Sequence, residues 1–224
     1  MKFGRGETIQ YYQQLYQQYS GLEFTNYEDR PIAIAGIETR LIAAFETKGG
    51  YGLFDGFFRR SLMWRRAEEE TQMDRINFHN LNIPSWSWMA YKGRITYLEL
   101  PFARMQWTDT NEDKIRSPWQ RGAPGFIRPT ERVPEYRCIT AKARELVMGE
   151  ELRNQFIFDK SMGTSVPSSL SCVCIGEEKQ TPDCYVLLIQ KVDDQEEQIY
   201  ERVGVGKIPK DRIRWGKSWP VSIF

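Results

Sequence analysis

Histidine is almost missing from this chain. His79 is the one imidazole in 224 residues. Any Ser-His-Asp or Cys-His device would have to be built on it. It lies among Asn77, Asn80 and Asn82, in a polar stretch that reads as a loop. Its expected role is therefore structural or solvated. Cysteine is scarce as well. Cys138, Cys172, Cys174 and Cys184 are too few to staple a chain of this length, so a reducing, cytoplasmic compartment is expected. Cys172 and Cys174 share a strand face, with Cys184 further along. C-x-C is not the usual zinc spacing and no fourth ligand presents itself, so no metal or cofactor is expected. Such thiols behave as small hydrophobes.

An excess of charge is also lacking. Thirty-one Lys and Arg face 30 Asp and Glu, a net charge of +1. Nucleic-acid and membrane-surface binders carry clustered positive charge, so neither partner is expected. No run approaches the roughly 20 apolar residues of a membrane span. The opening MKFGRGETIQYYQQ has no signal-peptide h-region. No internal repeat or low-complexity segment occurs. The glycines of Val203-Gly204-Val205-Gly206-Lys207 lack the spacing of a P-loop or a dinucleotide fingerprint. They are expected in a strand, marking a bulge or a close backbone approach.

Aromatic residues, in contrast, are plentiful, with 7 Trp, 11 Tyr and 12 Phe. Each buried ring removes roughly 150–250 Å² from water, enough for a substantial core. Ile9, Tyr12, Leu15, Tyr16 and Tyr19 fall at helical spacing, which predicts a helix from Glu7 to Ser20 closed by Gly21. Asp29 and Pro31 open a second helix to about Thr47, with Ile34, Ile37, Leu41 and Phe45 as its stripe and Gly49-Gly50 as its stop. A third is expected over Asp55 to Arg66, burying Phe57, Phe58, Leu62 and Met63 or Trp64. Residues 1–66 thus read as a helical part.

Residues 67–224 read as mainly β, with a long loop near 106–135. Ile83 to Leu100 is expected to form a hairpin turning at Lys92-Gly93. Strands are expected in YRCITAKARE, QFIFD, SLSCVCIGE, CYVLLIQKV and QIYERVGVGKI, the last two joined by an acidic DDQEE turn. The terminal RIRWGKSWPVSIF should pack back through Trp215 and Trp219. The expected fold is α+β: a helical N-terminal part packed on an antiparallel β-sheet or small barrel, together one integrated domain.

Two features carry the functional expectations. Arg59, Arg60, Arg65 and Arg66 cluster on the expected third helix, with Glu68, Glu69 and Glu70 following. The cluster is either an internally paired, solvated face or a docking surface for an acidic partner. The other feature is IPSWSW, Ile83 to Trp88. In a strand, Trp86 and Trp88 would share a face, with Pro84 at the strand entry. Their burial is worth on the order of 8–12 kcal/mol gross, an upper bound that makes Pro84, Trp86 and Trp88 the expected structural anchor.

The same stretch resembles a known pattern. In fungal heterokaryon incompatibility proteins, the region downstream of the HET domain carries, in order, a helix like "W…LVEEYS…LT", then "D+L.A..G.A", "Y.AGLW…L…LLW", "APSWSWAS.DG.I.Y" and "ER+G.G". Tyr16 to Ile37, Tyr51 to Arg66, Ile83 to Tyr97 and Tyr185 to Ile208 resemble these in the same order. The departures are Lys92 where the family has Asp, Ile83 where it has Ala, and no counterpart of the HET domain itself. The resemblance implies a non-catalytic regulatory or recognition region of a fungal, intracellular protein. It would act in self/non-self recognition or cell death, by contact with a protein partner or with an effector domain on the same full-length chain. The alternative is a stand-alone ligand-binding module with an aromatic-lined groove for a glycan or small metabolite, using exposed Trp86, Trp88 or Trp107.

Overall fold

Glu7 fixes the start of the first helix, because its carboxylate accepts the Gly4 N–H at 2.8 Å. This helix, α1 (Arg5–Ser20), buries Ile9, Tyr12 and Tyr16 on one stripe and ends at Gly21. The structure, a computed structural model, describes residues 4–68, 73–108, 114–160, 170–192 and 198–224, with only the backbone of Glu150 and Arg153. The Asn26 side chain caps a short 3-10 turn, Tyr27–Asp29, that leads into α2 (Arg30–Ala44). Pro31 lies in the first turn of α2, where its missing N–H costs nothing. The helix stops before Thr47. Gly49-Gly50 is not its stop but a strand, β1 (Gly49–Gly50), antiparallel to β2 (Leu53–Phe54).

The third expected helix is largely absent. A 3-10 turn, Asp55–Phe57, and one turn of helix, α3 (Phe58–Ser61), give way to a strand, β3 (Trp64–Arg66). The hairpin over Ile83 to Leu100 is also corrected. Ser87 N–H bonds Pro84 O, and the Ser87 hydroxyl caps a 3-10 turn at Trp88–Ala90. Serine and proline bend this segment locally, so it never extends into a ladder. Its expected partner strand, β4 (Ile95–Tyr97), pairs antiparallel with β3 instead, placing Trp64 opposite Tyr97. Helices α1 to α3 thus share the first 66 residues with β1, β2 and β3.

Within the long loop, β5 (Met105–Trp107) and β6 (Phe126–Ile127) form, and β6 runs parallel to β1. The expected strands follow: β7 (Ile139–Leu146), β8 (Phe156–Phe158), β9 (Leu170–Glu178), β10 (Asp183–Lys191) and β11 (Ile199–Pro209). The C-terminal segment is a strand too, β12 (Ile213–Ile223), antiparallel to β7. The pairings return on themselves: β7 to β9, β9 to β10, β10 to β11, β11 to β12 and β12 to β7. The result is a small five-strand barrel, with β5 added on β9 and β8 on β11. The fold is α+β. Gly204 lets β8 approach, because a Cβ there would stand 2.4 Å from Ile157 O.

Period-two alternation sends the two strand faces into different clusters. Val173, Ile175, Leu187 and Ile189 join the core that holds the helices and IPSWSW. Cys172, Cys174, Cys184, Val186 and Leu188 join a smaller cluster with Leu146 and Phe156. All four cysteines are free and buried. Trp219 packs against the larger cluster and Trp215 against the smaller. The DDQEE turn and Glu69-Glu70 lie outside the described residues. No described helix is long and apolar enough to cross a membrane.

Candidate functional site

A groove of about 530 Å³ opens where the start of α1, the Asp55–Phe57 turn, α3 and the end of β5 meet. Among the described residues its cations are Arg5, Arg59, Arg60 and Lys114, and its one carboxylate is Asp55. Phe57, Phe102 and Trp107 supply ring faces. Arg60 lies 4.3 Å over the Phe102 ring and 5.4 Å over that of Trp107. Arg59 lies 5.7 Å over Trp107, and Arg5 lies 5.8 Å over Phe57. Guanidinium stacking leaves the in-plane N–H edges free to hydrogen-bond while the face packs on a ring, and here those edges reach backbone carbonyls.

The three arginines are positioned by backbone carbonyls. Arg60 donates to Leu100 O at 2.6 Å and to Pro101 O at 3.2 Å. It is buried, and that burial lowers its pKa. Arg60 therefore fastens the segment that carries Phe102 and serves as the groove's floor. Arg59 donates to Thr108 O at 3.2 Å, which ties α3 to the end of β5. Arg5 donates to Gly56 O at 3.1 Å. Lys114 is exposed at the rim. Asp55 accepts the Ser117 hydroxyl on Oδ1 at 2.5 Å; its Oδ2 has no hydrogen bond among the described residues.

The four arginines expected on one helix divide into two pairs. Arg59 and Arg60 enter the groove, while Arg65 and Arg66 lie on β3, where adjacent residues face opposite ways. Arg65 pairs with Glu68 at 3.1 Å, and Arg66 donates to Phe158 O at 3.0 Å. The four arginines are thereby split between a helical turn and a strand. The physical reason is the change from helix to strand after Ser61, Leu62 and Met63 lying in the turn between them.

Pro84, Trp86 and Trp88 are all buried, and both indoles have no exposed surface. They do not share a strand face. Trp86 packs edge-on to Tyr51 at 5.6 Å and donates to Arg137 O at 2.9 Å. Trp88 packs on Tyr16 at 5.1 Å and under the Arg30 guanidinium at 5.1 Å. The serines between them tie distant segments. Ser87 donates to Tyr51 O at 2.7 Å, Ser85 donates to Phe224 O, and Arg202 N–H donates to Ser85 Oγ at 2.9 Å. With no exposure, neither indole can stack on a ligand.

Four buried ionisable side chains, Arg202, Asp159, Arg30 and Glu38, surround this loop, and none was expected from the sequence. Arg202 is held by Asp159 at 2.9 and 3.1 Å and donates to Leu62 O and Trp64 O. Desolvation raises the Asp159 pKa against the pull of Arg202. Arg30 donates to Tyr91 O, Ser20 O and Gly93 O, and burial lowers its pKa to about 10. Glu38 accepts the Gly52 N–H at 2.6 Å, and burial pushes its pKa up to about 8. The Trp88 Nε1, Tyr16 hydroxyl and Glu38 Oε2 are buried without protein partners.

His79 is exposed and lies 2.5 Å from Glu28, away from the groove. No group of three His, Cys, Asp or Glu among the described residues is placed to hold a metal ion. Sequence reasoning found Arg59, Arg60 and Trp107 but missed Arg5, Phe102 and Lys114. These come from three separate segments, and their convergence follows only from how β5 and α1 dock around α3. Comparison with family models, curated proteins and solved structures finds nothing that matches this chain.

Proposed function

We propose that this chain is a non-catalytic recognition module and that the groove between α1, α3 and β5 is its contact site for an anionic group. The observation that carries this reading is the gathering of Arg5, Arg59, Arg60 and Lys114 with exposed Phe102 and half-buried Trp107 in one concavity. Among the described lining residues, four cations face one carboxylate, an excess of positive charge. Cations beside low-dielectric ring walls focus their field outward and steer an anion in.

The setting we propose is that of a heterokaryon-incompatibility-type fungal protein, cytoplasmic, acting in self/non-self recognition or cell death. The support is the ordered resemblance from Tyr16 to Ile208. Contact at the groove would restrain or release a protein partner, or an effector domain elsewhere on the same chain. The direct test is charge reversal in the full gene product. Arg5→Glu with Lys114→Glu should abolish the incompatibility response at unchanged protein abundance. An intact response would overturn this reading.

A second reading is a stand-alone module for a small ligand. The groove volume favours it, since small-molecule sites span about 300–1,000 Å³ whereas protein interfaces are broad and shallow. Trp86 and Trp88 have no part in such a site, because both are buried. Trp107 and Phe102 supply its ring faces instead.

A further inference from the structure

We infer that the groove takes a nucleoside monophosphate, an inference that rests on the small-ligand reading of the same site. Three observations narrow the ligand. First, Arg5 and Lys114 are exposed at the rim, where a dianionic phosphate can engage both without being stripped of water. Second, the Arg60 guanidinium lies over the Phe102 ring at 4.3 Å and the Trp107 ring at 5.4 Å, so the floor is built of flat cation and ring surfaces. Such a floor accepts a flat, polarisable base by stacking. Third, Asp55 lines the groove with one oxygen committed to Ser117 and the other uncommitted among the described residues.

That third observation separates two ligands of similar charge. A buried or half-buried carboxylate needs a donor once water is displaced. The hydroxyls of a ribose provide one. A phosphorylated tyrosine side chain has a ring and a phosphate but no donor between them. It would leave Asp55 facing an anion with nothing to bond. The Gln120 amide, also on the lining, adds a donor and an acceptor for a base edge. Plain sugars satisfy Asp55 and the rings but bring no anion to the exposed Arg5 and Lys114 side chains.

The test is isothermal titration of the full 224-residue chain with AMP, adenosine, inorganic phosphate and O-phosphotyrosine. AMP should bind with a Kd below about 1 mM, and adenosine and phosphate at least about tenfold more weakly. Arg5→Ala and Lys114→Ala, both at exposed side chains, should each weaken AMP by about fivefold or more without lowering the melting temperature. Trp107→Leu should weaken AMP and adenosine together. Arg40→Ala, on the exposed part of α2, should change nothing. AMP binding no better than phosphate alone, or unaffected by the Arg5 and Lys114 changes, overturns the inference. Phosphotyrosine binding more tightly than AMP overturns the nucleoside assignment. In either case the charge-reversal test above decides separately whether the groove is a recognition site.

Discussion

Arg202 and Asp159 form a forked ion pair at 2.9 and 3.1 Å with both side chains essentially out of solvent. The guanidinium lies 3.3 Å over Trp64, and its remaining donors go to the carbonyls of Leu62 and Trp64. One residue of β11 therefore locks β3 and the segment after β8 to the barrel. Breaking one side of such a pair strands the other charge. Asp159→Ala should destabilise the protein by about 3–5 kcal/mol at all pH values. Arg202→Met should cost less in acid than at neutral pH, because Asp159, already pushed up by burial, then takes a proton. Urea unfolding of both variants at about pH 5 and about pH 7.5 distinguishes them. Equal losses for Arg202→Met at the two pH values would contradict this account.

The two IPSWSW indoles should respond differently to loss of their N–H. Trp86 donates to Arg137 O, whereas Trp88 Nε1 has no protein partner. Trp86→Phe loses a buried hydrogen bond and leaves a carbonyl unpaired, so it should cost about 1–3 kcal/mol more than Trp88→Phe. Alanine at either position should cost about 3–5 kcal/mol or unfold the chain. A double-alanine protein that melts at the native temperature would end the claim that this loop anchors the core.

Gly52 sits at φ +81°, and a Cβ there would lie 2.1 Å from Trp88 Nε1. Gly52→Ala combines a left-handed backbone with a clash against a rigid ring. It should destabilise by more than about 3 kcal/mol, against about 1 kcal/mol for Gly122→Ser, where the φ is also positive but the surrounding space is open, so that backbone strain acts alone. Thermal melts of the two variants check the contrast; equal losses would show that backbone strain alone, and not Trp88, sets the requirement.

Glu38 predicts a falling stability as pH rises. Its ordinary pKa is 4.5 and burial pushes it to about 8. Below 4.5 both folded and unfolded states hold the proton. Between these values the unfolded chain releases it while the folded chain keeps it, so stability declines with pH. Above about 8 the loss is complete, about 5 kcal/mol from the pKa difference. Glu38→Gln keeps an acceptor for the Gly52 N–H and should flatten this slope. Denaturant midpoints at about pH 6 and about pH 9 measure it. A wild-type slope retained in Glu38→Gln would show that another group is responsible.

The barrel strands were legible because alternating apolar residues in β7 and the long apolar runs of β9 and β10 leave little choice of structure. α1 was legible for the corresponding reason at helical spacing. The failures have identifiable causes. On α2, Ile37 and Glu38 occupy neighbouring angles beside Ile34 and Leu41, and polarity alone chose Ile37 for the interior. The helix instead turns Glu38 inward, where it meets the Gly52 N–H, and leaves Ile37 exposed. At IPSWSW the alternation of serine and tryptophan mimics a strand, yet the serine hydroxyls bond backbone groups and curl the chain into a turn. Half the candidate site was visible as Arg59, Arg60 and Trp107. The rest, Arg5, Phe102 and Lys114, carries no local signal, because only the docking of three segments gives those residues a common purpose.

The central claim is a positive, ring-lined groove that receives an anion at Trp107. Tryptophan emission quenched by iodide and by caesium reports the local potential, and Trp107→Phe isolates the Trp107 component. The account predicts that iodide quenches this component more strongly than caesium does, and that Arg5→Ala with Lys114→Ala removes the difference. Iodide and caesium quenching it equally, or a preference that survives the double variant, would contradict it.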